Sequence, residues 1–194
     1  MAVNYAYLAT FFANSGVVMS TISLYLTQCF GAEIRVGGMT IGVASAGGML
    51  LTMRSLMGMV AGPVSGCLSD RRGDRWPVVR WGVVTGIAGF ALLIIGTSVW
   101  TIPLGVVLIA LSSGALLTNL SALTGDLAAS DRQGLAMGSL ATAGDPGSTA
   151  GPLLAYALLS LVELRWVYLL CGLGFASSLL VVRCVLPPKR DSVV

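Results

Sequence analysis

The chain has 194 residues, of which 56% are hydrophobic and 10% charged, with a net charge of +3. With a mean hydropathy of +0.89, this balance excludes an ordinary soluble domain, and the charge is too weak for a nucleic-acid footprint. The absence of His removes His-based catalytic dyads, His-ligated metals and haem.

A spanning helix needs roughly 20 apolar residues, so the length accommodates about six spans with short loops. The first apolar segment runs from Tyr5 to Phe30. The preceding Met1-Ala2-Val3-Asn4 carries no basic residue, so a cleavable signal peptide is not expected. Along this segment Tyr7, Phe11, Asn14, Val18, Thr21, Tyr25 and Gln28 recur in steps of four and three, which puts them on one helix face.

The second segment extends from Gly37 to Ser69 and carries a ridge of Gly58, Gly62 and Gly66. Arg54 lies inside it. The third runs from Pro77, a favourable first-turn residue, to Val99. The fourth, from Pro103 to Asp126, offers Ser112 and Asn119. The fifth runs from Gly134 to Val162 with Gly138, Gly147 and Gly151, and holds Asp145 in its interior. The sixth spans Trp166 to Leu186, where Pro187-Pro188 stops it. Pro63, Pro146 and Pro152 are sites where helices can bend. Cys29, Cys67, Cys171 and Cys184 stand singly without C-x-x-C spacing and read as packing residues.

With a cytoplasmic N-terminus, Arg71, Arg72, Arg75, Arg80, Arg132, Arg183, Lys189 and Arg190 all lie on or near the inner side, against Arg35 and Arg165 outside. That bias predicts one fixed orientation with both termini cytoplasmic. Small residues spaced by four let helix backbones approach in lipid. The two glycine-rich helices therefore serve packing within the chain or an interface with another half; both readings stand.

Gly66, Asp70, Arg71, Gly73 and Arg75 form a G-x-x-x-D-R-x-G-x-R pattern between the second and third segments. It resembles the signature loop of major facilitator superfamily transporters. Gly147-x-x-x-Gly151-Pro152 resembles the family's antiporter motif, with Ala155 and Tyr156 in place of its final glycines. Leu164-Arg165-Trp166-Val167-Tyr168 resembles the start of the family's sixth helix. The family's membrane-embedded Arg of the fourth helix is missing, since Leu111-Ser112-Ser113-Gly114 occupies that region.

The resemblance implies an all-α membrane protein with six transmembrane helices, one half of a twelve-helix fold. The single domain 1–194 would be two inverted three-helix repeats, about 1–99 and 100–194. The family's first and fourth helices line the central cavity, which makes Tyr7, Phe11, Asn14, Tyr25, Ser112 and Asn119 cavity candidates. Hydrogen bonding between helices is the alternative for Asn14 and Asn119.

In the family the signature loop faces the other half, so Asp70 is expected opposite a partner's fifth helix, with Arg71 and Arg75 pairing to Asp126 or Asp131. Arg54 and Asp145 are ionisable groups inside apolar segments and hence functional candidates. Arg54 stands ~24 Å up its helix from Asp70, and Asp145 ~20 Å up from Arg132. They are expected to pair between two copies of the chain as a gate, or to divide proton and anion binding, or to be a structural ion pair.

The expected function is secondary transport of small solutes by a homodimer of halves through rocker-switch alternating access. The bilayer, a second copy and a small-molecule substrate are the partners. No enzyme activity, cofactor, metal or nucleic acid is expected. The location is the cell membrane, multi-pass, in the bacterial inner membrane. A split transporter with a different partner half, a truncated gene product and a non-transporting scaffold are the competing readings.

Overall fold

The structure, a computed structural model, describes residues 2–36, 38–96 and 98–185. Gly37, the Pro187-Pro188 stop, Lys189 and Arg190 lie outside the described residues. The first apolar segment is helical throughout but changes its winding. It comprises α1 (Ala2–Thr10), a π-helical stretch (Phe11–Val18) and α2 (Met19–Phe30).

A hairpin follows where a loop and the start of the second helix were expected. β1 (Glu33–Val36) pairs antiparallel with β2 (Met39–Gly42), Ile34 opposite Ile41 and Arg35 opposite Thr40. The β-branched residues Ile34, Val36, Thr40 and Ile41 favour strands, and Gly38 turns the chain at a φ of 87°. The next helix therefore begins only at Val43, and the all-α expectation holds with this one exception.

The remaining helices are α3 (Val43–Arg72), α4 (Trp76–Ile95), α5 (Thr101–Leu127), α6 (Gln133–Leu159) and α7 (Leu164–Val185). α3 ends because Gly73 takes a left-handed φ of 64° and its N–H bonds back to the Asp70 carbonyl at 3.2 Å. Helix α3 continues through Pro63, and α6 through Pro146 and Pro152.

Five helical stretches are long and apolar enough to cross a membrane: Ala2–Phe30, Val43–Arg72, Trp76–Ile95, Thr101–Leu127 and Leu164–Val181. α6 is not among them, although its 27 residues would reach about 40 Å. Its Gly, Ser, Thr, Pro and Asp145 content dilutes its apolar residues.

α5 lies between α3 and α4, α6 runs along the first helical rod, and α7 packs on α4 and α1. Val17, Ile22, Phe90, Leu93, Ile109, Leu120 and Phe175 are buried at the centre. Tyr25 meets Tyr168 edge-on at 5.2 Å, and Phe90 meets Phe175 at 5.5 Å. Asn4 donates to Ser139 near the start of α6, and Tyr5 bonds Ser177 on α7, whose last turns run toward that end. The start of α1 and the end of α7 thus share the end that carries the α3–α4 and α5–α6 loops.

Two backbone crossings set the helix spacing. A Cβ on Gly16 would sit 2.7 Å from the Gly151 Cα and 3.0 Å from the Gly147 carbonyl oxygen. A Cβ on Gly114 would run into the Gly58 carbonyl and lie 2.9 Å from the Ala61 Cβ. Gly62 and Gly66 continue the second contact against Thr118. The α3 ridge and the Gly147–Gly151 part of the α6 ridge thus face neighbours in the same chain, while Gly134 and Gly138 face open space. The other faces of both helices are open: Met49, Leu56, Met59, Val60 and Val64 on α3, and Leu135, Met137 and Leu153 on α6, are exposed.

Gly151→Leu is expected to lower the thermal midpoint in detergent or to abolish folding. Overpacking typically costs about 1–3 kcal/mol, and here the opposing atoms are backbone. Gly134→Ala, with nothing within 4 Å of its Cβ position, should leave the midpoint unchanged or raise it slightly. Differential scanning fluorimetry of the two variants checks the contrast.

Candidate functional site: a charged end and an intramembrane donor pair

The charged loop is organised by Arg75. Its Nη1 lies 2.8 Å from Asp70 Oδ1, and its Nε donates to Asp126 Oδ2 at 2.6 Å. Nη1 also reaches Ser69 Oγ at 3.3 Å. The Arg75 side chain is 21% exposed, while Asp70 and Asp126 are 63% and 56% exposed. The hydrogen bond that Asp126 accepts, with its charge and that of Asp70, holds the Arg75 guanidinium above the ordinary arginine pKa against some desolvation. One side chain therefore ties the end of α3 to the end of α5.

Asp74 accepts the Trp76 N–H at 3.0 Å and satisfies a free donor at the start of α4. Asp131 pairs with its neighbour Arg132 at 3.7 Å and not with Arg71 or Arg75. Arg71 is exposed and makes no ion pair among the described residues. Asp70 is engaged by Arg75 of its own chain, and most of its surface still faces outward.

The second polar group lies within the spans. Arg54 Nη2 donates to Asn14 Oδ1 at 3.4 Å, joining α3 to the π-helical stretch. Asn14 is 1% exposed. Its Nδ2 and the Nε of Arg54 are both buried without a partner. An unsatisfied buried donor typically costs about 1–3 kcal/mol, and more when it carries charge.

On the same rod, the Tyr7 and Phe11 rings meet at a tilt of 44°, with centroids 4.9 Å apart. They close against α6 at Gly144, where a Cβ would lie 2.9 Å from Tyr7 Cε1. Asp145, the next residue, is exposed and makes no ion pair among the described residues.

Three other cavity candidates are tied into the helix bundle. The Tyr25 hydroxyl donates to the carbonyls of Leu93 and Gly96 at the end of α4. Ser112 donates to the Gly82 carbonyl at 2.7 Å. Asn119 donates to Ser65 Oγ at 3.1 Å and to the Ala115 carbonyl at 2.8 Å. All three are buried. Sequence reasoning missed two of the partners, Ser65 and the fully buried Tyr168, whose hydroxyl meets Thr21 at 3.1 Å. Ser65 lies one turn from Gly62 and Ser69 on the α3 face that meets α5, and that spacing was its only signal.

The family model of the Major Facilitator Superfamily matches residues 5–193. The chain belongs to the major facilitator superfamily. It is a multi-pass membrane protein with that fold. Among solved structures it is similar to a variant of the peptide transporter POT in complex with sulfate, with a TM-score of 0.81 and 19% identity. That likeness covers 94% of this chain and 36% of the transporter. It is also similar to a POT family transporter in complex with 5-aminolevulinic acid, with a TM-score of 0.78 and 14% identity, over 95% of this chain and 37% of that one. This superfamily member thus spans little more than a third of the length of the transporters it matches. No curated protein matches it.

Arg75→Gln is expected to lower stability by about 1 kcal/mol or somewhat more for two exposed charged partners, and the thermal midpoint with it. Arg71→Gln should leave it unchanged. Raising the salt to molar concentration should shrink the difference, because screening weakens exposed pairs. Thermal melts of both variants at low and high salt check this.

Proposed function

We propose that the chain is a secondary transporter of small solutes that works as a homodimer of half-transporters. The observation that carries this reading is the superfamily match along residues 5–193 in a chain spanning about a third of similar transporters. Halves of this fold are parallel repeats about an axis normal to the membrane, so two copies in one orientation would rebuild the whole. The exposed apolar faces of α3 and α6 supply a surface for the second copy, and closed two-fold assembly is the commonest oligomer.

Within each copy, 1–99 and 100–194 would be inverted repeats with six spans in all, α6 included. Reciprocal packing supports this: the first rod meets α6 as α5 meets α3, each at a glycine crossing. The end carrying Arg71, Arg72, Arg75, Arg80 and Arg132 would be cytoplasmic, with both termini there, in a bacterial inner membrane.

Solute would enter the cavity between the two copies, and the copies would rock about it. The Arg75–Asp70–Asp126 group would latch the cytoplasmic side, with exposed Asp70 meeting the start of the second copy's α6. Asp145, exposed on α6, is the intramembrane acid available to Arg54 of the second copy. It would carry the coupling proton or close the gate.

The test starts with the protein mass in lipid nanodiscs by light scattering. Two chains per particle are expected, with solute flux in proteoliposomes that falls at least tenfold in Arg54→Ala and Asp145→Asn. A single chain per particle would reject the homodimer and favour a separate partner half. Dimers whose flux is unchanged in both variants would reject the role of these two residues.

A further inference from the structure

We infer, on the transporter reading above, that Arg54 and Asn14 hold the carboxylate group of the transported solute. The guanidinium has only donors. Its contact with Asn14 at 3.4 Å therefore fixes the amide, with Oδ1 toward Arg54 and Nδ2 presented as a donor. That donor has no acceptor, and neither has the Nε of Arg54. Two unsatisfied donors, one on a cation, thus belong to side chains already in contact.

The remaining buried side-chain atom without a partner among the described residues is an acceptor, Asn119 Oδ1. It belongs to α5, where the same amide is bonded to Ser65 and Ala115. Within one copy the Arg54–Asn14 pair lacks acceptors and negative charge together, and solute would compete there with Asp145 of the second copy. No Asp or Glu makes an ion pair with Arg54 among the described residues. Water would supply an acceptor but would leave a charge uncompensated in an apolar span. A carboxylate supplies both needs: two acceptor oxygens, no donor to clash with the site's donors, and a planar geometry matched to a guanidinium.

The setting adds a second part to the solute. Asn14 lies in the π-helical stretch, a winding found often at functional sites. Tyr7 and Phe11 pack ring against ring on the same rod, seven and three residues before it, and are only partly buried. They offer an aromatic wall. The class expected is a small carboxylate with an apolar or aromatic body.

The experiment uses the purified chain in nanodiscs, with benzoate as the probe and benzamide as its neutral isostere. Equilibrium dialysis should show saturable benzoate binding and no comparable benzamide binding. Arg54→Gln should weaken benzoate at least tenfold, and Arg54→Lys by less. Asn14→Asp places a carboxylate on the guanidinium itself, so it should raise the thermal midpoint and abolish benzoate binding. This variant guards against the case in which Arg54→Gln fails to fold.

Equal binding of benzoate and benzamide, no saturable benzoate binding, or unchanged affinity in folded Asn14→Asp would overturn the assignment. Solute flux measured on the same preparations separates the two levels. Flux without benzoate binding removes the carboxylate site and leaves the transporter. Carboxylate binding that survives these controls without any flux removes the transporter and leaves the site.

Discussion

Helices in lipid gain little from burying leucine against leucine, because the tails around them are equally apolar. They are held together where backbones can come close. In this chain those places are the contacts of Gly16 with Gly151 and of Gly58 with Gly114. The first joins the opening rod to α6 and the second joins α3 to α5. Much of the remaining geometry follows from them. Asn14 is two residues from the first crossing, and Arg54 is one turn from the second. The crossings therefore set the level at which these two side chains meet.

Polar groups inside the spans fall into two kinds. Most are closed off. Tyr25 is used by the end of α4, Ser112 by Gly82, Asn119 by Ser65, and Thr21 by Tyr168. Such bonds join one helix to another and consume the donors that make a residue reactive toward a solute. The Arg54–Asn14 pair is different because its contact leaves donors over. A buried donor without a partner is a cost that folding alone does not explain, which makes the pair the strongest pointer to a ligand.

The two ends of the bundle are built on different physics. The end with the α3–α4 loop is held by Arg75 between two mostly exposed carboxylates, an arrangement that salt and movement can loosen. The opposite end is capped by the β1–β2 hairpin, by Tyr25 and by the apolar cluster that includes Leu26, Ile34 and Leu50 with Phe30 packed against it. A rocking motion that opened the charged end would break ion pairs in contact with water. Opening the other end would have to separate apolar surface and buried hydrogen bonds.

The sequence by itself determined the membrane class, the family resemblance, the positive end and most helix limits. These rest on local quantities: hydropathy over one span, the charge of one loop, and a motif ten residues long. The start near Pro77 was legible because a single residue type sets it, whereas the second segment was ended at Ser69 and the Gly73 cap carries the helix on to Arg72. The hairpin was not. The strand pattern of Ile34 to Ile41 is short, its first half lies in the loop between two apolar segments, and its second half merges with a run that reads equally well as helix. The π winding at Phe11–Val18 left no signature either.

Only the tertiary structure decided which equivalent-looking polar residues are free. Tyr25 and Asn14 lie on one stripe of one helix, yet the first is bonded to α4 and the second is left with an unpaired donor. Arg75 and Arg71 lie in one loop, yet Arg75 holds both carboxylates and Arg71 holds neither. Periodicity places a side chain on a face. What meets it there comes from residues 40 to 147 positions away, and that pairing exists only once the helices cross.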